Sequence, residues 1–385
     1  ASAVSIGTEK SMISVAKKTL VGKALERPDW VLQVKNKIKT EGVAEAYRQS
    51  KARLDLSVPL GYSAAGIVVE VGSSVERFSV GDPVVCTGSG YASHADFNCV
   101  PETFCEKKPE RVGFDEAAFA ALGGIALEAI RLAKPELGER VAVIGLGLIG
   151  ILAVKLLKAN GCRVLGIDID PGKLESAKNW GCDEVINSRA DNLRSAVDSF
   201  SDGKNMDSVI VLAATKSNDP VKSAANICRE RGKIVVAGLV GLEVPRKEFF
   251  EKELELSVSR AWGPGAIPSP DSPHPLVTPY PRWPAGENIR AFLDLLEDRA
   301  VTVHELISRE AAFLDAPAVY AELLAGKAAE SGVVLTYEGE ENSTALSRLN
   351  RVNVNQRPIT STPSNKKTAI GVGLIGAGMY TRGTL

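Results

Sequence analysis

The chain has 385 residues, 44% of them hydrophobic, with 46 Lys and Arg against 47 Asp and Glu. That length holds two or three domains, and the near-neutral charge points to neither nucleic-acid nor membrane partners. No apolar run approaches the ~20 residues that span a bilayer, and Ala1-Ser2-Ala3-Val4-Ser5 lacks the basic start and apolar core of a signal peptide, so a cytoplasmic protein is expected.

In chain order, Ile6-Gly7-Thr8-Glu9 reads as a turn carrying polar groups ahead of a helix. Residues 17–53 hold ten basic residues against four acidic ones, read as helical, and are broken by Pro28 and Gly42. Such a segment is either a solvated helical insertion or a basic cap that attracts an anionic substrate. From Pro59 the pattern turns to β. Gly61 to Gly72, including Ile67-Val68-Val69-Glu70-Val71, reads as a turn and then a strand ended by glycine, Val80 to Cys86 as a Gly-Asp-Pro turn and strand, and Ala92 to Val100 as a further strand. Short strands between glycine turns predict a small barrel. Residues 115–134 read as helix.

The stretch Val141-Ala142-Val143-Ile144-Gly145-Leu146-Gly147-Leu148-Ile149-Gly150 joins a β-branched run to a G-x-G-x-x-G loop. An apolar helix runs on to Asn160-Gly161, and a second strand, Arg163 to Ile167, ends at Asp168. Strand, glycine loop, helix and an acid about 20 positions on form the full context of a dinucleotide site. Gly145 permits the tight turn, Gly147 lets backbone approach a pyrophosphate, and Gly150 lets helix pack on strand. The helix N-terminus, with Leu146, Leu148 and Ile149 around it, faces the phosphate charge. Asp168 accepts from the ribose diol and repels a 2′-phosphate, so NAD is expected rather than NADP. Lys173 is the nearest cation, and Ala213 and Gly238 complete the expected cofactor contacts. Strands at Glu184–Ile186, Met206–Leu212, Lys233–Gly238 and Leu254–Ser259 extend the α/β alternation to six strands, which predicts a doubly wound sheet.

Residues 263–284 read as a Pro-rich loop, residues from Ile289 and Pro317 as helices, and Val333 to Tyr337 as a closing strand. Residues 341–367 are polar and aperiodic, a linker. Ile370-Gly371-Val372-Gly373-Leu374-Ile375-Gly376-Ala377-Gly378 is a second strand and glycine turn. The six cysteines form no C-x-x-C pair, and reduced thiols are expected.

On the Gly7-Thr8-Glu9 turn, the Gly61–Gly72 and Val80–Val85 segments and the Gly145–Asp168 unit, residues 1–340 resemble the medium-chain dehydrogenase/reductase family of zinc alcohol dehydrogenase relatives. The resemblance implies an α/β protein with a GroES-like barrel in residues 1–112 (insertion 17–58), a Rossmann domain in 113–262 and a return to the barrel in 263–340. The linker and residues 368–385 follow. The last stretch resembles the start of a Gfo/Idh/MocA oxidoreductase, and Arg260 to Gly265 and the basic insertion resemble bi-domain chains associated with surface polysaccharide synthesis. By that likeness the chain is a fragment.

The family's zinc-ligand places hold Ile6, Tyr62 and, within one position, Ala120, none of them a good zinc ligand. No metal is expected. Thr8 matches the family's hydroxyl position, and Tyr62 should face the same cleft. Tyr62 is either a donor to a developing alkoxide, if the site lowers its pKa, or a ring filling the metal's space. Glu9 is expected to orient Thr8 or the backbone. His94 reads as a partly buried polar residue rather than a catalyst. The implied function is zinc-independent, NAD-dependent hydride transfer between nicotinamide and an alcohol or carbonyl. The substrate is a small molecule, an anionic sugar or nucleotide-sugar, and the protein a homo-oligomer. The alternatives are an NAD(P)H quinone or enoyl reductase, or a non-catalytic nucleotide-binding module.

Overall fold

Val141, Ala142 and Val143 are wholly buried, as expected of a strand covered on both faces in a parallel sheet. They lie at the centre of a computed structural model that describes residues 1–16, 59–265, 282–325 and 332–337. The chain parts into two units, Ala1–Met12 with Pro59–Tyr337, and Ile13–Val58 with Glu338–Leu385. Of the second unit only residues 13–16, the end of the first helix, are described. The basic insertion, most of the Pro-rich loop, the linker and the second glycine signature lie outside the described residues.

The first unit opens with β1 (Ser2–Val4) and α1 (Ile6–Ala16), then β2 (Ser63–Ile67), β3 (Pro83–Thr87), β4 (Cys105–Lys107), α2 (Phe114–Ala117) and α3 (Ala120–Ala133). There follow β5 (Arg140–Ile144), α4 (Leu148–Ala159), β6 (Arg163–Asp168), α5 (Pro171–Asn179), β7 (Glu184–Asn187) and α6 (Leu193–Ser201). Next come β8 (Met206–Val211), α7 (Asp219–Ile227), β9 (Cys228–Val236), α8 (Arg246–Lys252) and β10 (Glu255–Val258). Last are α9 (Ala285–Glu297), β11 (Ile307–Ala312), α10 (Ala316–Ala325) and β12 (Gly332–Thr336).

Two six-stranded sheets result. One runs β10-β9-β8-β5-β6-β7, all its pairs parallel. Its chain order reverses between β5 and β8, the switch point where open α/β sheets bind ligands beyond their strand ends. The other runs β11-β12-β1-β2-β3-β4. Helix α3 joins them: Ser63 Oγ donates to the Ala118 carbonyl and accepts from the Ala121 amide. A Cβ on Gly123 would lie 2.3 Å from the Phe292 ring, so α3 and α9 pack closer than any larger residue allows. Asp170 caps α5, its side chain accepting from the Gly172 amide with Pro171 at the first turn.

Three local readings change. Residues 6–9 are the first turn of α1 rather than a turn before it, because Glu9 reaches back to accept from the Ser5 amide at 2.8 Å and satisfies a helix-end donor. No strand forms at 92–100. There Ser93 and Asn98 bond each other, amide to Oδ1 at 3.1 Å and Nδ2 to carbonyl at 2.9 Å, and such local bonds compete with a ladder. The strand read as ending at Gly72 stops instead at Ile67. Beyond it Val68 bonds only to the Gly81–Asp82 turn.

Candidate active site

The glycine loop closes over the C-terminal ends of β5, β8 and β9. Gly145 has φ +98°, and a Cβ there would lie 2.5 Å from the Ala213 amide nitrogen. A Cβ on Gly238 would lie 2.1 Å from the Ala213 carbonyl oxygen, and one on Gly150 2.0 Å from that of Gly145. Gly147 is exposed at the N-cap of α4, with open space where its Cβ would be. The first amides of α4, Leu148 and Ile149 among them, have no partner within the helix, and with the helix dipole they suit a phosphate. Asp168 ends β6. Its Oδ2 accepts from the Leu146 amide at 2.8 Å, its Oδ1 from the amides of Ile169 and Asp170 at 2.7 and 3.0 Å. One glycine-loop amide and the two amides that follow Asp168 therefore fix the carboxylate. Lys173 is exposed in the first turn of α5 and makes no ion pair with Asp168. The structure thus gathers Gly145, Leu146, Gly150, Asp168, Ala213 and Gly238, and leaves Lys173 apart. This cradle fits a dinucleotide.

A second cluster forms where α1 meets the other sheet. The Tyr62 hydroxyl donates to Ser5 Oγ at 2.8 Å, and Ser5 Oγ donates to Thr8 Oγ1 at 3.4 Å. Tyr62 and Ser5 are buried while Thr8 is exposed, so the hydroxyl chain runs from core to surface. Burial pushes the Tyr62 phenol up to about 12; the Ser5 and Thr8 hydroxyls lower it and the Glu9 charge raises it. The condition for Tyr62 to act as the acid, a lowered pKa, is not met. The phenol is a held donor that polarises the hydroxyls beyond it.

Glu9 is wholly buried. Besides the Ser5 amide it holds His94, whose Nε2 lies 3.2 Å from Glu9 Oε2, and the Tyr320 hydroxyl, which donates to the same oxygen. His94 Nδ1 lies 2.7 Å from Ser2 Oγ, which lies 2.7 Å from the Tyr337 hydroxyl. Burial, then the Glu9 charge, holds the Tyr320 phenol far above its ordinary range, and burial raises that of Tyr337. Glu9 thus bonds the backbone at Ser5, and no bond joins it to Thr8. The sequence reading did not assign Ser2, Ser5, His94, Tyr320 or Tyr337 to the site. His94 alone carried a signal, as the one histidine among the barrel segments.

The same donors decide whether a zinc ion fits. Ile6 and Ala120 offer no ligand atom, the Tyr62 oxygen is committed to Ser5, and both His94 nitrogens are engaged. Among the described residues no three His, Cys, Asp or Glu side chains converge. A tetrahedral zinc needs four such ligands, or three and an open position, so these residues do not fit it. No helix among the described residues is long and apolar enough to cross a membrane.

Comparison with known proteins finds alcohol dehydrogenase-like relatives that share this fold. Residues 30–130 match the model of the alcohol dehydrogenase GroES-like domain, and residues 149–268 that of the zinc-binding dehydrogenase. D-xylulose reductase A of Aspergillus oryzae is 26% identical over 302 residues, covering 70% of this chain and 78% of the relative. Alcohol dehydrogenase of Geobacillus stearothermophilus is 28% identical over 273 residues, 61% of this chain and 79% of the relative. The solved galactitol-1-phosphate dehydrogenase of Escherichia coli superposes with a TM-score of 0.61 at 21% identity, covering 72% of this chain and 84% of that one, a likeness of fold.

Proposed function

We propose that this alcohol dehydrogenase-like enzyme is of the medium-chain dehydrogenase/reductase type and works with NAD and without zinc. Its substrate in this reading is a secondary alcohol or the matching carbonyl of a sugar or nucleotide-sugar. The observation that carries the reading is the hydroxyl chain Tyr62–Ser5–Thr8, which ends at exposed Thr8.

Bound nicotinamide supplies the hydride chemistry. The chain's own residues position and handle the proton. Asp168, anchored by three amides, takes the adenosine ribose and disfavours a 2′-phosphate. The α4 N-terminus takes the pyrophosphate. Thr8 places its hydroxyl against the substrate oxygen, and Ser5 and Tyr62 behind it stabilise the charge that develops there. Glu9, His94 and Tyr320 brace the first turn of α1 that carries Thr8. The likeness to a D-xylulose reductase supports a polyol or ketose substrate.

Absorbance of reduced nicotinamide, followed with polyols, ketoses and nucleotide-sugars and with each dinucleotide, tests the reading. Turnover of an alcohol or ketone with NAD is expected. Reduction of quinones or enoyl compounds with NADPH alone would replace it with that chemistry.

A further inference from the structure

Cys86 and Cys105 are 19 residues apart in sequence, yet their sulfurs lie 3.8 Å apart, facing each other across β3 and β4. The ladder fixes which kind of pair they are. The Lys108 amide donates to the Pro83 carbonyl at 2.9 Å, so Pro83 and Lys108 form a hydrogen-bonded pair. Pair types alternate along an antiparallel ladder, so Val84 with Lys107 is non-hydrogen-bonded, Val85 with Glu106 bonded, and Cys86 with Cys105 non-hydrogen-bonded. Cα atoms in such a pair stand about 4.5 Å apart, within the range a disulfide spans. Both side chains lie on one face, packed with Phe78 and Val84.

We propose that Cys86 and Cys105 are a redox-active dithiol that closes reversibly into a cross-strand disulfide. Cys86 is half-buried and Cys105 buried, so Cys86 is the thiol that meets a reagent first. The hydrogen bond from Cys105 lowers the Cys86 thiol below its ordinary value against the effect of burial, and the same bond and burial raise Cys105. As the more accessible thiol, Cys86 attacks first and Cys105 resolves. With a small-molecule disulfide as oxidant, Cys86 sulfur attacks one of its sulfurs and releases one small thiol, leaving a mixed disulfide. Cys105 sulfur then attacks Cys86 sulfur, releases the second small thiol and forms the Cys86–Cys105 bond. The two protein thiols lose two electrons and two protons, and the small disulfide gains them.

The bond would fasten β4 to β3, the strand that pairs with β2 just after Tyr62. Strand β3 leads through Gly88, whose amide donates to the Tyr62 carbonyl at 3.0 Å, into the loop carrying His94. The inference rests on strand geometry and is independent of the proposed reaction. Cys99, exposed, is the internal control.

The test is incubation with oxidised glutathione, alkylation of the remaining thiols, and mass spectrometry after cleavage following Arg77, Glu102 and Lys107. The Cys86 and Cys105 pieces should stay joined until reduced. The bond should persist in Cys99→Ser, and Cys105→Ser should instead retain glutathione on Cys86. Free alkylation of both Cys86 and Cys105 in the oxidised wild-type chain, or a Cys86–Cys99 bond in their place, would overturn the proposal without any variant having to fold.

Discussion

His94 and Glu9, 85 residues apart in sequence, meet at 3.2 Å with 5% and 0% of their side chains exposed. The pair ties the loop after β3 to the first turn of α1. His94→Ala removes one partner of a wholly buried carboxylate, and an unsatisfied buried polar group costs roughly 1–3 kcal/mol. Denaturant unfolding should show a loss of that size, and His94→Gln, which keeps a donor, a smaller one. Equal stability of wild type and His94→Ala would mean the pair braces nothing.

Asp168 gives the cofactor prediction. Its carboxylate accepts from the Leu146 amide of the glycine loop and from the Ile169 and Asp170 amides, and in the proposed reading it also accepts from a ribose hydroxyl. A hydrogen bond to a charged acceptor contributes roughly 1.5–3 kcal/mol, so Asp168→Ala should weaken NAD about 10- to 100-fold by isothermal titration. The native chain should bind NAD more tightly than NADP; the reverse order would sink this assignment.

Thr8 should matter more to turnover than Tyr62. Losing a donor aimed at developing charge typically costs roughly 3–4 kcal/mol of barrier, so Thr8→Val should lower kcat about 100- to 1000-fold. Tyr62→Phe removes a donor one hydroxyl further back and should cost less. A larger fall for Tyr62→Phe than for Thr8→Val would return the phenol to direct contact with substrate.

Tyr62 also leaves a mark on stability at high pH. Its phenol is held at about 12 from an ordinary 10, so the folded chain binds that proton more tightly than the unfolded one. The contribution is complete below about pH 10 and is lost as pH rises through about 12. Two pKa units correspond to about 3 kcal/mol at most. Urea unfolding between about pH 9 and pH 12 should fall more steeply for wild type than for Tyr62→Phe; parallel curves would contradict the burial of an ionisable Tyr62.

The nucleotide unit was legible in sequence because its signals are local. Strand, glycine spacing, helix and acid all fall between Val141 and Asp168, and the six strands of that sheet appear as separate apolar runs. The second cluster was half legible. Thr8, Glu9 and Tyr62 could be named, but the cluster is completed by residues 2, 5, 94, 320 and 337, and no periodicity links the last three to the first turn of α1. The direction of the Tyr62 shift depends on how deeply the ring is buried, which a single tyrosine in a turn does not state. The Cys86–Cys105 approach depends on a strand register set by where β4 begins. Sequence placed a strand at 92–100 instead, because the Ser93–Asn98 side-chain bonds that exclude it leave no pattern in hydropathy.

The measurement that bears most directly on zinc-free hydride transfer is metal analysis of chelator-treated protein set beside its turnover with NAD. On the proposed reading, in which Ile6, Tyr62 and Ala120 stand where the family's zinc ligands would, turnover should persist in protein containing far less than one zinc per chain. Stoichiometric zinc whose removal abolishes turnover, and whose return restores it, would contradict the account.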